Sequence, residues 1–162
     1  MKSTALAWIC LALSACASTP ETKPSSSEKF QAKLDSASEV PSPSLSGTSP
    51  SGTATFTPQG DTLIYKVTVI GLSSPYVAAH IHTGAPGVAG AVIVPLALTS
   101  GPGEGTASGE GTIDAAAIKG KNADGSAMSM ADLLAAMRGG NTYVNVHTAN
   151  NKAGEARGQI QP

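Results

Sequence analysis

Three histidines, the only ones in the sequence, are the residues whose type and spacing best suit metal binding or catalysis. His80 and His82 are separated by one residue, so in an extended strand both imidazoles point to the same face. His147 follows Val144 and Val146 in a second alternating run, which puts His147 on the polar side of that strand. If these two strands are neighbours, the three rings converge on one place.

Imidazole nitrogens are good ligands for copper, zinc and nickel. A pair on one strand with a third ring on an adjoining strand leaves a coordination position open. The first interpretation is nevertheless that the rings serve the fold through a hydrogen-bonded polar network, for which Asn145, Glu155 and Arg157 are available partners. The alternative is a metal site formed by His80, His82 and His147, with copper expected before zinc. The sequence leaves both interpretations open.

The remaining polar residues show no recognisable catalytic arrangement. Glu155 and Arg157 would suit an acid and an anion clamp, but no serine, cysteine or second carboxylate stands in a nucleophile or acid–base frame with them. The glycine-rich run at 84–90 precedes a β-rich segment instead of a helix, which argues against a phosphate site. We therefore assign no catalytic residue and expect a non-enzymatic protein.

The elements that must position the histidines are short strands. With 18 glycines, 11 prolines and alternating apolar residues, the sequence favours an all-β, immunoglobulin-like antiparallel sandwich. Ser129 and Asp132 form a predicted capping box for one short helix, which Gly139 ends. The alternating runs predict strands at 30–35, 52–57, 62–70, 76–83, 91–98, 112–113, 142–148 and 154–161, with a loop at 101–111.

The first residues predict export from the cytoplasm. Lys2 and the apolar run 5–13 have the charged start and short apolar centre of a signal peptide. The letters LSAC at 13–16 resemble the lipobox of bacterial lipoproteins, which implies that Cys16 is lipidated; a plain signal peptide is the alternative. Cys10 would leave with the signal, so no disulfide is expected. The expected organisation is signal peptide 1–15, lipidated cysteine and flexible tether 16–28, and folded domain 29–162.

Charge and composition limit the partners of this protein. The formal net charge of −1 provides no basic patch for nucleic acid. We expect attachment to a membrane through the lipid on Cys16, and a further envelope protein as a binding partner. The expected location is periplasmic or on the cell surface, and the outer membrane where a cell has two membranes.

Four blocks of sequence, in order, resemble the CHRD (chordin) domain. They are EVP at 39–41, AHIHTG at 79–84, YVNVHT at 143–148 and GEARGQI at 154–160. The resemblance covers residues 30–161 and implies an immunoglobulin-like β-sandwich. Animal CHRD domains belong to an extracellular antagonist of growth-factor signalling, whereas bacterial members are mostly secreted or surface proteins. The resemblance therefore implies a binding or structural module of the cell envelope.

A weaker resemblance is to the copper-zinc superoxide dismutases, which are also β-sandwiches. His80, His82, His147 and Arg157 match their His-x-His strand, their later Val-x-Val-His strand and an arginine after a glycine. The chain departs from that pattern because it has no further histidine for a second metal and no cysteine pair. The resemblance implies a metal-dependent, superoxide dismutase-like redox activity as the enzymatic alternative.

Overall fold

A computed structural model describes residues 28–45 and 47–162. The predicted signal peptide, Cys16 and nearly all of the predicted tether lie outside these residues. Within them, no helix is long and apolar enough to cross a membrane. The strands are β1 Phe30–Asp35, β2 Ser51–Gln59, β3 Thr62–Ile70, β4 Tyr76–Thr83, β5 Val92–Leu96, β6 Thr99–Ser100, β7 Ala107–Ile113, β8 Thr142–Thr148 and β9 Ala156–Gln159.

The nine strands form one antiparallel sheet in the order β5-β4-β8-β9-β1-β2-β3-β7-β6. The sheet curls over itself, as a contact between distant strands shows. The hydroxyl of Tyr65 on β3 donates to the carbonyl of Ala97, just beyond β5, at 3.2 Å and accepts from the Ala97 N–H at 3.0 Å. Five strands separate β3 from β5 in the sheet, so this contact requires the two halves to face each other. The predicted all-β, sandwich-like fold is confirmed.

The alternation of apolar residues builds the core between the two halves. Leu63 and Val67 on β3 are fully buried, as are Ile81 on β4 and Val144 on β8. Burying a side chain of this size stabilises the fold by roughly 1.5 to 3 kcal/mol. Because the core occupies one face of β4 and β8, the residues between these apolar positions must lie on the opposite face.

The predicted helix is confirmed as α1, Met130–Arg138. The Ser129 hydroxyl accepts from the Asp132 N–H, and the Asp132 carboxylate accepts from the Ser129 N–H, which completes the capping box. The buried residues of α1, which join the core, are Leu133, Leu134 and Met137.

The prediction that 101–111 is a loop was wrong for residues 107–111, which belong to β7. Gly109 and Gly111 interrupt the apolar pattern in the sequence, yet both are paired with β3. A Cβ at Gly111 would lie 2.9 Å from the Tyr65 ring, so packing of that ring requires glycine there. The last strand is also shorter than predicted, because regular pairing begins at Ala156 rather than at Gly154.

The pairing of β4 with β8 positions the histidines. His80 lies opposite Asn145, His82 opposite Tyr143, and His147 opposite Ala78. This register places all three imidazoles on the face of the sheet that points away from the core. The predicted neighbourhood of the two histidine strands is thus confirmed.

Candidate metal centre

The three histidines form one cluster in the described part of the chain. One ring nitrogen from each of His80, His82 and His147 lies within 4.8 Å of the other two. The closest pair is His80 Nδ1 and His147 Nε2, which are 3.0 Å apart. Two nitrogens that bind one tetrahedral zinc ion at 2.0–2.1 Å are separated by about 3.3 Å. The His80–His147 separation is therefore close to that of two ligands of one ion, and the other two nitrogen separations are within 4.8 Å.

Backbone carbonyl groups determine the tautomers of two of these rings. His82 Nδ1 lies 3.0 Å from the carbonyl oxygen of Gly90, and His147 Nδ1 lies 2.9 Å from that of Lys152. Since a carbonyl oxygen only accepts hydrogen bonds, Nδ1 carries the proton in both rings and Nε2 keeps its lone pair. This is the arrangement by which proteins orient metal-binding histidines.

The Nε2 atom of His82 is a buried acceptor without a partner. The residue is 8% exposed, and this nitrogen makes no hydrogen bond within the described structure. An unsatisfied buried polar atom costs about 1 to 3 kcal/mol. A cation beside His82 Nε2 would remove that cost.

His80 has a different hydrogen-bonding role from the other two rings. Because His147 Nε2 is an acceptor, the hydrogen bond between these rings requires a proton on His80 Nδ1. A metal ion bound to His147 Nε2 would replace this hydrogen bond. His80 would then offer either Nε2 directly or Nδ1 after its proton had moved to Nε2, and neither route requires a net loss of protons.

All three rings are neutral at neutral pH, which is the form that binds metals. Burial lowers the pKa of His80 to about 4, with further contributions from His147 and His82. Burial also lowers the pKa of His82 and of His147, although their hydrogen bonds to backbone carbonyls act in the opposite direction. Little proton competition is therefore expected at pH 7.

Tyr143 supports the cluster from the neighbouring strand. Its ring stacks on His82 with 4.9 Å between ring centroids and an angle of 14° between planes. The Tyr143 hydroxyl accepts from the Gly90 N–H at 3.1 Å. This role was not predicted from the sequence, although Tyr143 shares the polar face of β8 with His147 and the alternation could have indicated it.

The glycine-rich run 84–90 packs over this face. Arg157 Nη2 donates to the carbonyl oxygens of Ala85 and Val88, both at 3.0 Å. Gln159 Nε2 donates to the Gly84 carbonyl oxygen at 2.7 Å. Two side chains of β9 thus hold a loop whose last glycine contacts both His82 and Tyr143.

Asn145 and Arg157 lie in the same row of the sheet as His80, since Asn145 pairs with both. The Asn145 amide donates to the carboxylate of Glu39, which is 3% exposed. This contact of Glu39 was not predicted from the sequence. Glu39 is 106 residues from Asn145 in sequence, and only its place in the EVP block pointed to it.

Glu155 forms a separate buried polar cluster. Its carboxylate accepts hydrogen bonds from the Ser73 N–H and hydroxyl, the Thr148 hydroxyl and the Asn151 amide, at 2.5 to 2.8 Å. Burial acts to raise the pKa of Glu155, but these hydrogen bonds outweigh it and the pKa is lowered. The hydrogen bonds of Glu155 in the described structure do not include a histidine, so this carboxylate tethers the loop around Ser73 to β8.

These observations define a β-sandwich-like domain with a cluster of three neutral histidines beneath a glycine-rich loop. The CHRD domain model matches residues 30–160, and the chain belongs to the CHRD domain family. No curated protein and no solved structure matches the chain. The superoxide dismutase-like activity that the weaker resemblance implies stays a prediction.

Proposed function

We propose that this protein is a lipid-anchored, extracytoplasmic CHRD module that binds one copper or zinc ion through His80, His82 and His147. The observation that carries the proposal is the orientation of two rings. Carbonyl oxygens hold the Nδ1 protons of His82 and His147, so the Nε2 atoms of both rings keep their lone pairs within one cluster. The lone pair of His82 Nε2 has no partner in the described structure, and an ion at His147 Nε2 would replace the hydrogen bond from His80 Nδ1.

Copper is the first expectation and zinc the second. Imidazole binds both, and divalent copper generally binds a given nitrogen site more tightly than zinc. Three protein ligands leave one position for water or a small exogenous molecule. Because the described residues around the cluster include no recognisable nucleophile or acid–base pair, we propose that the module holds or delivers the ion, with superoxide-related redox chemistry as the enzymatic alternative.

Membership of the CHRD family and one hydrogen bond favour a second candidate, a binding or structural module without metal. The hydrogen bond between His80 and His147 already satisfies one nitrogen of each ring. In that function the cluster would rigidify the pairing of β4 and β8, and the module would bind an envelope protein through another surface.

Metal titration of the purified protein, without a histidine tag, separates these candidates. We expect one Cu(II) or Zn(II) per chain by calorimetry and elemental analysis, and a loss of affinity of at least about 100-fold in His82→Ala. Lys152→Ala is the matched control, because His147 contacts only the backbone carbonyl of Lys152. Circular dichroism verifies that each variant is folded. Equal and negligible uptake by the wild type and His82→Ala would reject metal binding and leave the second candidate.

A further inference from the structure

Arg157 is a buried cation next to the histidine face. It lies on β9, is 1% exposed, and pairs with Asn145 of β8. Its guanidinium carbon is 3.5 Å from the centroid of the Tyr143 ring. A guanidinium remains charged in a protein, so its burial requires nearby acceptors or an aromatic face.

The acceptors of Arg157 belong to the loop that covers the cluster. Its Nη2 atom donates to the Ala85 and Val88 carbonyl oxygens, so one side chain holds two points of the loop. Arg157 has no hydrogen bond to His80, His82 or His147 within the described residues. The Arg157 charge acts through space to lower the pKa of His82, but any effect of Arg157 on the position of His82 must act through the loop or through Tyr143.

Gly90 connects the loop to His82. Its N–H donates to the Tyr143 hydroxyl, and its carbonyl oxygen accepts from His82 Nδ1. A Cβ at Gly90 would lie 1.6 Å from the Thr83 carbonyl oxygen, so this close approach of the loop to β4 requires glycine. The position of the Gly90 carbonyl is thus determined by how the loop is held.

We infer that Arg157 is a positioning residue for the metal site, because its contacts with the loop and Tyr143 place the Gly90 carbonyl that keeps the His82 proton on Nδ1. This inference rests on the proposed function, since it assigns Arg157 a role in preparing His82 Nε2 as a ligand. β8 lies between β4 and β9 in the sheet, so His82 and Arg157 contact Tyr143 from the strands on either side.

Loss of a contact that orients a ligating histidine weakens metal binding without removing a ligand. Partners that orient a ligating histidine typically change metal affinity by about 10- to 100-fold. In Arg157→Gln the loop keeps its sequence but loses the charged donor, so we expect His82 to sample both tautomers. Arg157→Lys retains a charge and donors for the two carbonyls but not the planar stack on Tyr143, and should restore part of the affinity.

Nitrogen NMR of the histidine rings tests this inference without any metal. We expect His82 to be protonated at Nδ1 in the wild type and to show a mixture of tautomers in Arg157→Gln. Cu(II) titration should then show affinity reduced by about 10- to 100-fold and a changed electron paramagnetic resonance spectrum. Tyr65→Phe is the control, because the Tyr65 hydroxyl contacts the backbone N–H and carbonyl of Ala97, away from the histidines.

Folded Arg157→Gln protein with an unchanged His82 tautomer and unchanged Cu(II) affinity would overturn the inference. If Arg157→Gln does not fold, Arg157→Lys tests Arg157 itself, and Tyr143→Phe tests the contact of the Tyr143 hydroxyl with the Gly90 N–H. A wild-type His82 tautomer in both of these variants would overturn the inference. Absence of Cu(II) and Zn(II) binding in the wild type would instead reject the proposed function, whereas a tautomer change in Arg157→Gln would still support positioning of His82.

Discussion

The Glu39 carboxylate accepts hydrogen bonds from the Asn145 side-chain amide, with Nδ2 2.9 Å from one oxygen and 2.8 Å from the other. This contact attaches the segment before β2 to the row of the sheet that contains His80. Burial raises the pKa of Glu39 to about 7, although the Val40 N–H, Arg157 and Asn145 each act to lower it. The buried carboxyl group therefore retains its proton at pH values well above 4.5, the pKa at which an ordinary glutamate loses it.

Glu39→Gln should become more stable relative to the wild type as the pH rises from about 4.5 to 7. The folded state holds the Glu39 proton more tightly than the unfolded state, so this stabilisation is complete below pH 4.5 and is lost as the pH rises through 7. Glutamine does not titrate. The difference in unfolding free energy between the variant and the wild type should therefore grow by about 2 to 3 kcal/mol over this range. Urea denaturation at several pH values measures it, and a difference independent of pH would refute the prediction. Glu110→Gln, at an exposed site, is the control.

His80→Ala should make the stability of the metal-free protein less sensitive to acid. The folded pKa of His80 is about 4, below its ordinary value of 6.5, so the unfolded state binds the proton more readily. The contribution of His80 is complete above pH 6.5 and is lost as the pH falls through 4. Thermal unfolding between pH 7 and pH 4, with a chelator present, should show a smaller loss of Tm in the variant than in the wild type. An equal loss in both proteins would contradict the lowered pKa.

Glu155→Gln should destabilise the fold by about 2 to 4 kcal/mol, because the new amide group directs donors toward other donors. The carboxylate has four short hydrogen bonds to Ser73, Thr148 and Asn151, and the residue is fully buried. Chemical denaturation measures the change in unfolding free energy. Glu110→Gln again serves as the control, because it removes only an exposed ion pair with Lys66 and should change stability by less than about 1 kcal/mol. Equal stabilities of the two variants would show that the Glu155 cluster does not hold the loop.

Gly90→Ala should weaken metal binding more than it weakens the fold. The added methyl group would collide with the Thr83 carbonyl oxygen, so the loop must move and take the Gly90 carbonyl away from His82. Gly103→Ala is the matched control, since its Cβ would meet only a Thr106 methyl group at 3.9 Å. Cu(II) affinity and Tm should be measured for both variants. Wild-type Cu(II) affinity in Gly90→Ala would show that the position of the loop does not influence metal binding.

Cys16→Ser should release the protein from membranes if the LSAC segment at 13–16 is a lipobox, because the acyl chains would be the only membrane attachment. The expected result is a shift from the membrane fraction to the soluble fraction after cell fractionation. Cys10→Ser is the control, since Cys10 lies in the segment expected to be removed. Unchanged membrane association of Cys16→Ser would reject lipid anchoring.

The strands and the histidine pair could be predicted from the sequence because their signals are local. Alternation along β3, β4 and β8 follows from one buried face, and the capping box of α1 needs only residues within one helical turn. The presence of His80 and His82 on one face needs nothing beyond strand geometry. The glycines of β7 hid a strand, because the reasons for them lie elsewhere in the fold: Gly111 makes room for the Tyr65 ring, and Gly109 for the backbone of Ala97 and Leu98.

Residue types and short-range spacing determined an all-β domain with three imidazoles on a polar face. Only the tertiary structure decided which nitrogen His82 and His147 present, because the carbonyls of Gly90 and Lys152 belong to loops outside the strands they contact. The same holds for the burial of Glu39 against Asn145 and for the contact of Arg157 with the loop. Hydrogen bonds between groups far apart in sequence depend on how the sheet curls, and alternation along a strand carries no information about that.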